Sequence, residues 1–188
     1  MGLEKFCRFH QGQHIPYDYG NQYFRQPCGA ANRLVIGPSG SHIDLLIELA
    51  AELHGQPWFV LYVLLVPRLG NRSSGRYQSE PFGSLAELAM FLSAFRSFFE
   101  SDGRHHVWVG SARNDGLLVY DHHNVLFAYG PLDAFEQALL RKGYRQQEFW
   151  FPAFHAHSYA PENDLEEERL MTEMEWKYSP LQPGDEWE

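Results

Sequence analysis

The chain has 188 residues, 44% of them hydrophobic and 21% charged, which suits one globular domain with a sizeable core and excludes a disordered polymer. Its formal charge of −9 is one-ended: residues 161–188 hold ten acids against Arg169 and Lys177, and the rest holds 14 acids and 13 bases. A nearly neutral body with an acidic end lacks the basic face that excludes counterions from phosphates, so nucleic acid is excluded as a main partner, and no apolar run approaches the roughly 18 residues of a membrane span.

Residues 1–7 show no apolar run followed by a cleavage site, so no signal peptide is expected. Cys7 and Cys28 lack the spacing of a metal-ligand pair, and a reduced, cytoplasmic protein is expected. Residues 1–31 set Phe6, Phe9, Tyr17, Tyr19, Tyr23 and Phe24 among Pro16, Gly20, Pro27 and Gly29, which reads as an irregular aromatic arm lying on the body. Residues 33–36 read as a short strand. Ser41 is placed to cap a helix running to about His54, where Ile43, Leu46, Ile47, Ala50 and Leu53 follow the 3.6-residue period. Residues 58–66 are apolar on both faces and read as a central strand covered on each side.

Residues 67–83, rich in Gly, Ser and Arg, read as a loop. Ser84 and Glu87 form a capping box for a helix to about Glu100. Residues 106–110 and 117–120 read as strands joined by the hairpin signal Asn114-Asp115-Gly116, and Asp121-His122-His123-Asn124 turns the chain into a strand over 125–129. Pro131 starts a third helix that ends at Gly143. A strand over 145–151 and an extended stretch over 155–159 follow. Residues 162–176 read as an acidic helix, and the tail from Ser179 is expected to be loosely held.

The sequence therefore predicts an α+β single domain over residues 1–160, with a mostly antiparallel sheet of about five or six strands packed by three to four helices. Residues 161–188 form the acidic C-terminal helix and tail.

Six of the ten histidines fall in three groups: His105-His106, His122-His123 and His155-Ala156-His157. Residues two apart on a strand share a face, so His155 and His157 point the same way and make half of a zinc or iron site. A third ligand is sought among His122, His123, Asp121, His105 and Asp164, and Asp121 beside two imidazoles also suits an oriented general base. Consecutive histidines on a strand would point apart.

Gly70 and Gly75 have P-loop separation, but Arg76 and Tyr77 replace the lysine and the magnesium-binding hydroxyl, which argues against nucleotide binding. Glu166, Glu167 and Glu168 on a helix, with Trp150, Tyr17 and Tyr19, suit a docking face for a basic protein. The small, acidic, aromatic-rich α+β body is similar in general character to bacterial immunity proteins, which bind and block toxins; no motif carries this likeness and no residue role is transferred from it.

Three functions follow. The leading expectation is a non-enzymatic, cytoplasmic protein-binding domain that needs no cofactor. The alternative is a metal-dependent hydrolase using His155, His157 and one of Asp121, His122 and His123 with a divalent zinc or iron. The third is a small-ligand-binding protein with an aromatic pocket.

Overall fold

The structure is a computed structural model that describes residues 5–68, 72–113 and 115–185. In chain order its elements are β1 (Phe6–His10), β2 (Gln13–Pro16), β3 (Gln22–Cys28), β4 (Ala31–Gly37), α1 (His42–Ala50), β5 (Trp58–Leu64), β6 (Gly75–Gln78), α2 (Leu85–Ala94), α3 (Arg96–Ser101), β7 (His105–Ser111), β8 (Leu117–Tyr120), β9 (Leu126–Tyr129), α4 (Leu132–Arg141), β10 (Arg145–Gln146), β11 (His155–His157), α5 (Asn163–Thr172) and β12 (Lys177–Ser179).

Among the described residues, nine strands form one mixed sheet in the order β10-β3-β4-β9-β8-β7-β5-β6-β12, and β11-β1-β2 form a second sheet. The fold is thus α+β with twelve strands and five helices, and the expected five- or six-strand sheet is corrected. Most of the added strands come from two stretches read as irregular. Within residues 5–31, β1 and β2 are joined by Gln11-Gly12, both at positive φ (49° and 78°), a turn for which Gln is an unusual first residue. Pro27 argued against a strand there, yet β10 pairs only with Gln22 and Tyr23, so Pro27 lies where β3 is an edge. In the second stretch, β6 lies inside the expected 67–83 loop and pairs with β5. Gly70 of the rejected phosphate loop and Asn114 of the hairpin signal lie outside the described residues.

Alternation decides how the large sheet is covered. Leu34, Ile36, Val107, Val109, Leu118, Tyr120, Leu126 and Ala128 face a core shared with α1, α2, α3 and α4. Their neighbours Val35, Val119 and Phe127 face the other way, under Phe6, Tyr19 and Phe149. Gly37 permits that second cover, because a Cβ there would lie 2.4 Å from Tyr19 Cβ and 2.9 Å from Phe149 Cζ. The same alternation splits the first histidine pair. His105 packs on Tyr62, Phe98 and Phe99 on the helical side, while His106 faces the opposite side.

Ser84 Oγ accepts the Glu87 N–H at 3.2 Å, and Glu87 Oε2 accepts the Gly83 N–H at 2.9 Å, so that helix starts as expected. Phe95 breaks it into α2 and α3. Ser41 stands before α1 at φ 52° without a side-chain cap; Glu100 Oε1 accepts the Ile43 N–H at 2.8 Å instead. The C-terminal tail is tied down: β12 pairs with β6, and buried Asp185 accepts from Arg76 Nε and Nη2 at 2.8 and 2.6 Å.

A buried ion pair joins α3, β7 and α5. The Arg104 guanidinium donates to both oxygens of Asp102 at 2.7–3.1 Å and lies 3.2 Å from Glu167 Oε2, with Asp102 and Arg104 almost fully buried. Removing the arginine strands the buried Asp102 and Glu167 carboxylates in the interior, so Arg104→Ala is expected to cost about 3–5 kcal/mol. Urea denaturation checks this; a loss below about 1 kcal/mol would contradict the pair's structural role.

Candidate metal centre

Asp121 directly follows β8 on the face away from the helices and is 2% exposed. A buried carboxylate must find donors. Asp121 Oδ1 accepts the backbone N–H of His123 at 2.8 Å and of Val125 at 3.2 Å, and Oδ2 meets His123 Nδ1 at 2.9 Å. Satisfying those donors curls the chain into a tight turn, with Asn124 at φ 60° held by the Tyr120 hydroxyl on its Oδ1 at 2.8 Å. The two adjacent histidines are therefore on a turn, and their ring centroids lie 4.1 Å apart instead of pointing to opposite faces.

The third imidazole arrives from β11. Its register on β1 sets His157 opposite Phe6 and His155 opposite Arg8. Gly103 lets this strand approach: a Cβ there would lie 2.8 Å from His157 Cβ, and its N–H donates to Ser158 O at 2.9 Å. The His157 ring then stands 4.1 Å from that of His122 and 4.8 Å from that of His123. One ring nitrogen from each of His122, His123 and His157 falls within 4.8 Å of the others. Around a tetrahedral zinc with 2.0–2.1 Å bonds the nitrogens would be roughly 3.4 Å apart, so the rings would have to close by up to about 1.4 Å.

Partner chemistry fixes two of the tautomers. His157 Nδ1 contacts the His122 carbonyl at 3.0 Å and His123 Nδ1 contacts the Asp121 carboxylate. Both partners only accept, so each Nδ1 carries the proton and each Nε2 presents a lone pair. A carboxylate or carbonyl behind an imidazole is the outer-shell arrangement of metal-ligating histidines. His122 Nδ1 lies 2.7 Å from His106 Nε2, which leaves His122 Nε2 as its third-ligand atom. His155 is exposed, its Nδ1 on Pro152 O at 3.1 Å, and its ring is 5.2 Å from that of His123, one step farther out.

Burial keeps the His122, His157 and His106 rings neutral. Burial, with the neighbouring imidazoles, pushes His122 down to about 2 and His157 to about 4; burial likewise takes His106 to about 4. Burial opposes the charge of Asp121, but the His123 hydrogen bond and the surrounding imidazoles hold its carboxyl below the usual carboxylate range.

The histidines close one end of a cavity of about 580 Å³. Its walls are Phe24, Phe127, Phe149, Trp150 and Phe151, with Arg33 and Gln26 among them.

The other expected site residues are scattered. His105 is buried on the helical side, and Asp164 is ion-paired with Arg68. Glu167 is buried against Arg104, Glu168 pairs with Arg72 and Glu166 with Arg169. Tyr19 is buried, its hydroxyl donating to His123 O at 3.0 Å; Tyr17 is half-buried with its ring 4.9 Å from that of Tyr19. Trp150 is 75% exposed at the cavity mouth. The sequence groups His106 with His105 but gives it no place in the site, and it gives none to Arg33, Phe127 or Phe149. The alternation on the 105–111 and 33–36 strands is the signal that could have found His106 and Arg33.

Comparisons with protein-family models, curated proteins and solved structures found no match. The centre therefore stands on its own geometry.

The depressed histidines link folding to pH. His42, pushed to about 4 by burial, joins His106, His122 and His157 in binding protons less readily folded than unfolded. Their stabilisation is complete above the ordinary imidazole value of about 6.5 and is lost as pH falls toward 4. Asp121 acts in the same direction at lower pH, while Glu100 and Glu167, raised by burial, oppose it. Urea midpoints measured between pH 8 and 4.5 are expected to fall on acidification; a flat profile would count against neutral buried imidazoles.

Proposed function

We propose that this chain is a metal-dependent enzyme, a hydrolase, with a divalent zinc or iron held by His122, His123 and His157. The observation that carries this reading is that His123 and His157 each have Nδ1 engaged by an acceptor, with a third imidazole beside them and an aromatic cavity in front. Three protein ligands leave a position open to the cavity, as catalytic zinc sites require. When bound, such a metal supplies a Lewis acid that acidifies water and polarises a carbonyl. The chain's own part is to present neutral imidazoles, to fix their orientation through Asp121 and the His122 carbonyl, and to exclude bulk water with the aromatic walls. His155 at the rim, its Nδ1 on a carbonyl, is placed to accept or deliver a proton.

This reading is favoured over a protein-binding domain because Glu167 is buried and Glu166 and Glu168 are ion-paired within the chain. It absorbs the idea of a small-ligand pocket, since the aromatic cavity is continuous with the histidines. As to membranes, no helix among the described residues is long and apolar enough to cross one.

Calorimetric titration of untagged protein with zinc is expected to show one site per chain. Asp121→Asn should weaken it about 10–100-fold by freeing the His123 ring, and His123→Ala or His157→Ala should weaken it more. Chelator-sensitive hydrolysis of aryl esters should disappear in the same variants. Zinc binding that ignores all three substitutions would remove this centre.

A further inference from the structure

We propose that the cavity takes a ligand with an aromatic or apolar body and a single anionic group, and that Arg33 receives the anion. The inference rests on the cavity being the ligand-binding part of the histidine centre, and it names the ligand class.

Arg33 leaves β4 on the same face as Val35, into a wall otherwise made by Phe24 and Gln26 of β3 and Phe127 of β9. It is 8% exposed. Its Nε donates to Gln26 Oε1 at 2.8 Å, its Nη1 donates to the Tyr129 hydroxyl at 2.7 Å, and the guanidinium lies 4.2 Å over the Phe127 ring. Those contacts hold the planar fork in one orientation, and a guanidinium keeps its charge at every working pH. In a cavity of low polarity a fixed cation is a strong selector of anions, because water screens it poorly.

The register separates Arg33 from the histidines. β4 pairs Val35 with Phe127 and Leu34 with Ala128, so Arg33 is level with the Tyr129 end of β9. His122 and His123 precede the other end, Leu126. The three residue steps from Leu126 to Tyr129 span roughly 10 Å, so the cation and the imidazoles address opposite ends of one ligand. Asp121, the other charged residue of the lining among the described residues, follows the strand at the histidine end with its oxygens turned to His123 and two amides. Phe24, Phe149 and Trp150 of the same lining supply ring faces for an aromatic body. A hydrolysable aryl carboxylate, sulfonate or phosphonate would place its anion on Arg33 and its labile group toward the imidazoles.

Two dyes with the same aromatic body test this. 8-Anilinonaphthalene-1-sulfonate carries the anion and N-phenyl-1-naphthylamine lacks it; both fluoresce in apolar surroundings. Titrated into the untagged protein, Arg33→Gln should weaken the sulfonate about tenfold or more and leave the neutral dye within about twofold, with Arg33→Lys between. The neutral dye also reports that the variant cavity is intact. Equal weakening of both dyes would make Arg33 a packing residue and overturn the proposal, as would sulfonate binding indifferent to Arg33→Gln or an absence of binding by either dye. The experiment is repeated with chelator and with His157→Ala. Arg33-dependent preference that persists there, in a protein that takes up no zinc, would sink the metal reading and leave this one standing.

Discussion

A sheet that is apolar on both faces must be covered twice, and the rest of this molecule follows from that requirement. The helices cover one face of β4, β9, β8 and β7 through Leu34, Leu126, Leu118 and Val107. The other face carries Val35, Phe127 and Val119, and among the described residues no helix packs on it. The N-terminal aromatics and Phe149 take that role, with the small β11-β1-β2 sheet lying over the β8–β9 turn. The cavity opens within this aromatic layer, lined by Phe24, Phe127, Phe149, Trp150 and Phe151. The site thus lies at the place where the aromatic layer meets the β8–β9 turn.

That turn is where burial of a charge organises chemistry. Asp121 is forced inward by the alternation that carries Tyr120 to the opposite face, and it recruits two backbone amides and one imidazole. The same hydrogen bonds that make the carboxylate tolerable also bend the chain and orient His123. Lys5 illustrates the stakes nearby. Its amine is fully buried over the Tyr120 ring, donates to Phe99 O at 3.1 Å, and is lowered by desolvation to about 7. Unpartnered polar groups in such surroundings would be destabilising, so the local geometry is tightly constrained.

Much of the helical side was legible in the chain. The 3.6-residue stripe of α4 and the Ser84–Glu87 box are local signals, and local signals survive folding. The strands of residues 5–31 were obscured because Gln11 adopts positive φ and because Pro27 stands in β3, features tolerated only by the tertiary arrangement. For the site, the spacing of His155 and His157 puts them on one face, and both line the cavity, but it does not give the inequality between them: His157 joins the triad and His155 stays at the rim. The convergence of His122 and His123 depends on a turn whose driving force is the burial of Asp121, and burial is not written in a local window. His106 depends on strand pairing between β7 and β8, which no single segment encodes.

His106 also decides how ready the centre is to bind a cation. His123 and His157 are held in the ligating tautomer by partners that only accept, whereas His122 shares its Nδ1 with another imidazole. If His106 Nε2–H donates, His122 keeps its own proton on Nε2, facing the cavity. If His122 Nδ1–H donates, Nε2 is released for a metal and the proton of His106 moves to its Nδ1, which is buried without a hydrogen-bond partner among the described residues. A buried orphan N–H is less favourable than a buried lone pair, so the resting pair favours the first arrangement. In the proposed centre two ligands would therefore be set in advance, and the third would be released by a shift of two protons within one buried pair. A metal–imidazole bond would have to exceed the cost of that shift, so the His106–His122 contact would tune affinity without touching the cation.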